Sequence, residues 1–188
     1  MSETPLWSRR AFAGTSLLAL FTLACDPPAL ALIPGVTGQQ RPATLALYNI
    51  HTGEHCTAAY RTPGGKLLPD ALGEFDCLLR CHYTGEVHPI DVATLDYLAL
   101  LDRQLGGGHT FHIISGYRSP RYNEKLCREG SGVASNSLHL TGRALDVRLP
   151  TRPLETLHRS ARELALGGVG YYPRSNFIHL DSGPYRTW

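Results

Sequence analysis

Between Pro89 and Gly116 the chain switches its hydrophobic period, and that switch limits the folds open to it more than any other feature. Val92, Leu95, Leu98, Leu101 and Leu105 recur at helical spacing, Asp91 stands where an N-cap belongs, and Gly106-Gly107-Gly108 stops the run. The spacing predicts a helix with one face toward a core. Residues 111–115 then form a short apolar run that suits a buried strand and ends at Gly116. The rest of the chain mixes the same two periods. Residues 44–50 and 55–60 are β-prone runs around His51-Thr52-Gly53-Glu54, a predicted hairpin, and Pro63-Gly64-Gly65 marks a turn. Ser119 as cap and Pro120 at the first helical position open a helix through Cys127 that ends near Gly130. Residues 131–137, rich in serine, glycine and asparagine, read as a loop. Residues 143–149 read as a strand, 154–166 as a helix stopped by Gly167-Gly168, and 169–172 and 177–180 as strands. Strands and helices alternate only in part, which predicts a single α+β domain whose largely antiparallel sheet is packed with helices.

The N-terminal segment is set apart from this pattern. Ser8-Arg9-Arg10-Ala11-Phe12, an uncharged run as far as Cys25 and the small-residue site Ala29-Leu30-Ala31 describe a twin-arginine export signal over residues 1–31 better than a membrane span. Thr22-Leu23-Ala24-Cys25 also resembles an imperfect lipoprotein box, so a lipid anchor at Cys25 competes with simple cleavage. Residues 32–43, with Gly, Pro and Gln, read as a tether, and 44–188 as the folded domain. The signal holds Glu3, Arg9, Arg10 and Asp26, so its loss leaves the net charge of +2 unchanged. That balance gives no electrostatic case for nucleic acid. Export would place Cys56, Cys77, Cys81 and Cys127 where disulfides are permitted, and the three pairings of four cysteines stay open. Cys77, Cys81, His82 and His88 match no common zinc spacing, and packing thiols or a disulfide fit them better. His51 and His55, without a carboxylate or cysteine at ligand spacing, read as cross-strand or exposed histidines.

Three separated residues suggest chemistry. His139 precedes a predicted strand, Asp146 lies in it, and His179 lies in the last predicted strand. Two imidazoles and a carboxylate suit a catalytic zinc site that keeps a fourth position open. They can converge only if the strands of Asp146 and His179 lie close together. Asp181 shares a strand face with His179, because side chains repeat every two residues, and is placed to orient a site group.

The residues around these positions carry a resemblance. Ser115-Gly116-Tyr117-Arg118-Ser119, the run from Asn136 through His139 and Asp146 to Arg148, and Gly168-Val169-Gly170-Tyr171-Tyr172-Pro173 followed by Phe177-Ile178-His179-Leu180-Asp181 resemble the YcbK-like murein endopeptidases. These are zinc enzymes of the D-Ala-D-Ala carboxypeptidase (LAS) superfamily, whose fold the hedgehog signalling domain shares. The resemblance covers nearly all of the chain from the predicted hairpin onward, and the joining of several separated motifs makes it specific. It implies Zn2+ on His139, Asp146 and His179, and hydrolysis of amide bonds in peptidoglycan stem peptides or cross-links by zinc-activated water. The export signal predicts a periplasmic protein with no transmembrane span once the signal is removed, expected as a monomer, and the resemblance supports an Arg118 near the site that grips a substrate carboxylate or the developing negative charge. Tyr172 and Ser137 are expected to line the cleft, Ser137 bonding a ligand or capping a loop.

The pattern departs at the general base. Better-known superfamily members carry an acidic residue or a histidine where Asn176 and Phe177 stand, and neither of these can accept a proton. Asp181 is the first remaining candidate and His112 the second. Two other functions stay open: a zinc-containing peptidoglycan-binding module without turnover, and a cysteine-based L,D-transpeptidase using Cys127.

Overall fold

The computed structural model describes residues 43–130 and 133–188. The expected export signal, the tether up to residue 42 and Cys25 lie outside the described residues. Ala43, assigned to the tether from sequence, already belongs to the first strand, where it pairs with Arg61 beside an irregularity in register.

Seven strands form one sheet. They are β1 (Ala43–Asn49), β2 (His55–Arg61), β3 (Thr110–Ser115), β4 (Ala144–Arg148), β5 (Gly168–Tyr172), β6 (Phe177–Asp181) and β7 (Arg186–Thr187), ordered β2-β1-β3-β4-β6-β5-β7. The pairs β1/β3 and β5/β7 are parallel and the rest antiparallel, so the sheet is mixed but mainly antiparallel, as expected. The parallel β1/β3 pair needs a long crossover, which the α1–α2 segment supplies.

The helices are α1 (Pro69–Leu78), α2 (Val92–Gln104), α3 (Pro120–Arg128) and α4 (Leu154–Leu164). Two of them start as their sequences demand: the Asp91 side chain accepts from the Ala93 N–H, and the Ser119 side chain accepts from the Tyr122 N–H. Helix α1 is absent from the sequence reading. Its N-cap is Leu68, which makes no side-chain cap, so the usual cap signal is missing and only Pro69 and Asp70 mark the first turn.

Leu95, Leu98 and Leu101 of α2 and Leu157 and Ala161 of α4 are buried in one core with Leu45, Leu47, Phe111, Ile113, Leu145, Val147, Ile178 and Leu180 of the sheet. The buried Tyr97 hydroxyl donates to the Ala161 carbonyl at 2.7 Å and ties α2 to α4. Alternation then sends the intervening residues to the other face of the sheet. Asp146 on β4 and His179 and Asp181 on β6 are there, next to core residues that hold their strands in register. Among the described residues no helix is long and apolar enough to cross a membrane.

Candidate metal centre

Strands β4 and β6 pair so that Asp146 lies directly opposite His179. The closeness that the sequence reading required is therefore a cross-strand pair, the nearest relation two side chains on one sheet face can have. His139 arrives separately, on a single 3-10 turn (Leu138–Thr141) just before β4. Ser137 caps this turn by accepting from the His139 N–H, and Gly142 ends it in the left-handed region at φ 65°. A side chain at Gly142 would also run into the Pro89 carbonyl oxygen, so glycine is required twice over.

The three side chains are buried, at 2%, 6% and 9% exposure for His139, Asp146 and His179. Asp146 Oδ1 is 2.9 Å from His179 Nδ1 and 3.3 Å from His139 Nε2, and the two ring nitrogens are 3.3 Å apart. Among the described residues this is the one grouping of His, Cys, Asp and Glu that could hold a metal ion. The outer nitrogen of each ring is already engaged. His139 Nδ1 lies 2.7 Å from the Gly116 carbonyl, and His179 Nε2 lies 3.0 Å from Asp181 Oδ2. Each outer partner is an acceptor that would keep the ring proton outward once a cation took the inward side, freeing the lone pairs of His139 Nε2 and His179 Nδ1 for it. Two neutral imidazoles and a carboxylate facing one point fit a divalent metal such as zinc.

Burial drives the His179 imidazole toward its neutral form, but hydrogen bonds to Asp146 and Asp181 outweigh it and lift the group to about 9. Burial pushes the Asp146 carboxyl up, and the charges and hydrogen bonds of His139 and His179 hold it well below the usual carboxylate range. Asp181 is fully buried and surrounded by donors: His179 Nε2, the backbone N–H groups of Gly168 (3.1 Å) and Gly183 (2.8 Å), and Arg186 through Nη1 (3.0 Å) and Nη2 (2.7 Å). It touches the outer edge of the His179 ring, away from the inward nitrogen.

Arg118 is buried rather than part of a surface ion pair. Its backbone N–H donates to the His139 carbonyl at 3.0 Å. Its guanidinium reaches Asp146 Oδ2 at 3.5 Å, Ser115 Oγ at 3.4 Å and Asn123 Oδ1 at 3.4 Å, all at the long end of the range, and Nε has no partner. A buried cation held this loosely retains donors for an incoming anion.

A cleft opens over the cluster. Arg118, Ser137, His139, Asp146, Tyr172, Phe177 and His179 line it, together with Arg186 and Trp188. Of the site residues chosen from sequence, Arg118, Ser137, His139, Asp146, Tyr172 and His179 meet at this cleft, while Asp181 stands behind His179. Phe177 stacks on Tyr172 at 4.7 Å, and Asn176 is an exposed residue at φ 53° closing the turn before β6. His112 is elsewhere, its ring edge-on to Tyr48 at 4.8 Å. Cys127 Sγ contacts the Val133 carbonyl and Asn123, with no imidazole among its hydrogen-bond partners. Cys56, Cys77, Cys81 and Cys127 are free thiols. Arg186 and Trp188 were missed from sequence because β7 is two residues long and carries no periodicity.

The family described as Peptidoglycan L,D-endopeptidase MepK matches residues 37–188. The probable peptidoglycan L,D-endopeptidase MepK of Haemophilus influenzae is 40% identical over 149 residues, 79% of this chain and 80% of the relative. The peptidoglycan L,D-endopeptidase MepK of Escherichia coli K12 is 34% identical over 181 residues, 96% of this chain and 97% of the relative. No solved structure gives a significant match.

Proposed function

The chain belongs to the peptidoglycan L,D-endopeptidase MepK family and is a peptidase acting on peptidoglycan, and on that premise we propose that it cuts an L,D amide bond of the peptide cross-links using a zinc ion held by His139, Asp146 and His179. The observation that carries the proposal is the inward convergence of three donors whose outer ring nitrogens are each tied to an acceptor. When bound, such an ion supplies a Lewis acid that makes water nucleophilic at neutral pH and polarises the scissile carbonyl.

The chain's own residues do the rest. Asp146 and the two histidines fix the ion's position, and Gly116 and Asp181 fix the two rings. Arg118, with an unpartnered Nε and three long contacts, receives a substrate carboxylate or the negative charge that develops on the carbonyl oxygen. Ser137 acts through the turn it caps, keeping His139 aimed, and Tyr172 meets the substrate as a side wall of the cleft. Asp181 serves as the orienting carboxylate, since its place behind the ring favours that role over taking a proton from water.

A peptidoglycan peptidase works outside the cytoplasm, which agrees with the twin-arginine signal expected from sequence over residues 1–31. Incubating the purified chain with murein sacculi and separating the released muropeptides tests the proposal. New fragments that disappear with a chelator and return with zinc are expected, and His139→Ala is expected to yield none. Retention on sacculi without fragments would replace the enzyme by a binding module.

A further inference from the structure

Just after strand β7, Trp188 brings an indole to the candidate metal centre. The Trp188 ring lies 5.3 Å from the His179 ring, centroid to centroid, and its Nε1–H donates to the Tyr172 hydroxyl at 2.8 Å. The backbone is anchored on β5: the Trp188 carbonyl accepts from the Tyr171 N–H at 3.0 Å, and its own N–H donates to the Val169 carbonyl at 3.3 Å. Arg186 stacks on the indole at 5.0 Å while its guanidinium holds Asp181. Gly170, directly opposite His179 in the sheet, leaves the space these rings occupy. A Cβ there would lie 2.8 Å from Trp188 Cε2 and 2.8 Å from Tyr172 Cε2.

An aromatic pair held this firmly, yet about half exposed at Trp188 (49%) and more than a third at Tyr172 (37%), presents a flat apolar surface to the cleft beside polar metal ligands. Neither Trp188 nor Tyr172 belongs to the hydrophobic core cluster or to the hydrophobics packed against it. Amide-bond substrates from peptidoglycan offer few apolar groups, and the longest is the methylene chain of the diamino acid through which stem peptides are cross-linked. Polar parts of that residue suit Arg118 and the metal, and its chain suits the indole face.

We propose that Trp188, braced by Tyr172 over Gly170, is a specificity-determining wall that receives the aliphatic chain of the diamino acid next to the scissile amide. This rests on the peptidoglycan-peptidase reading above. The test combines kinetics with the fluorescence of Trp188 itself. The chain has two tryptophans, Trp7 and Trp188, so Trp7→Phe in the full chain leaves Trp188 as the sole indole. Titrating that metal-free protein with a purified diaminopimelate cross-linked muropeptide is expected to shift and saturate the emission. Trp188→Ala is expected to raise KM roughly ten-fold with kcat within about three-fold of wild type, and Trp188→Phe to recover most of the loss. Gly170→Ala, which presses on the wall from behind while keeping both rings, is expected to raise KM in the same sense.

Unchanged KM in Trp188→Ala would overturn the wall, as would a fall in kcat alone or an emission that ignores the muropeptide while the enzyme turns over. Saturating emission in a chain that cleaves nothing would keep the wall and remove the peptidase mechanism. Should Trp188→Ala fail to fold, Trp188→Leu keeps apolar area without the flat face, and a KM indistinguishable from wild type would refute a role for the ring.

Discussion

Replacing Asp181 by asparagine removes one charge with almost no change in volume, which makes it the sharpest probe of how this centre is built. Five donors point at the carboxylate: three at Oδ1, from Gly168, Gly183 and Arg186, and two at Oδ2, from His179 and Arg186. An asparagine keeps one acceptor oxygen and brings two N–H groups of its own. Its amide therefore turns its oxygen to the three donors and its nitrogen to His179. The imidazole must then move its proton from Nε2 to Nδ1, the nitrogen that faces Asp146 at 2.9 Å and that a metal would need. Losing such an orienting partner costs about 10–100-fold in metal affinity, or roughly 1.4–2.7 kcal/mol. The Arg186 guanidinium, nearly half exposed, falls back on water, so the loss of its partner adds little. Competition for zinc against a chromophoric chelator reads the affinity, and urea unfolding in chelator checks that the metal-free fold survives. The alternative role for Asp181 makes the opposite forecast. Burial would raise its carboxyl, yet hydrogen bonds from His179, Arg186 and the Gly183 N–H hold it well below the usual carboxylate range, where it is a poor proton acceptor at neutral pH. Zinc affinity equal to wild type with kcat abolished would refute the orienting role and make Asp181 the base.

Three other outcomes are expected. Arg118→Lys keeps the charge but loses the planar fork, and kcat/KM on muropeptides should fall at least about ten-fold while zinc affinity stays within about three-fold, read by steady-state kinetics beside the same chelator competition. Leu98→Ala, in the α2 stripe at 0% exposure, should cost about 2–5 kcal/mol in urea unfolding with the metal site intact. His82 stacks on His51 at 3.8 Å; burial, with the charges of His51 and Arg118, brings it down to about 4. Its folded value lies below its unfolded one, so the unfolded chain takes up the proton first and stability present above about pH 6.5 is lost as pH falls toward 4. The loss is at most about 3.4 kcal/mol before solvent screening of the partly exposed ring reduces it, and His82→Gln should flatten that part of the stability-pH curve.

Where sequence reading succeeded, the signals were local. Asp91 and Ser119-Pro120 mark their helices because a cap bonds to backbone two or three residues away, and the α2 leucines repeat because one face of that helix meets the core. Where it failed, the determinant was distant or weak. Helix α1 starts without a side-chain cap, and β7 is only two residues long, so Arg186 and Trp188 carried no pattern. Ser137 illustrates an intermediate case: its residue type allowed a ligand contact or a cap, and the 3-10 turn at His139 takes the cap.

Residue types and their periods determined the α+β class and the three candidate donors, since helix caps, strand alternation and metal-ligand chemistry are properties of side chains and near neighbours. Tertiary structure alone decided that β4 lies beside β6 in the register that sets Asp146 against His179, and that β7 adds to β5 to bring Arg186 behind the site and Trp188 beside it. Strand partners and register are chosen by burying the core face of the whole sheet at once, a sum over residues far apart in the chain that no local window contains.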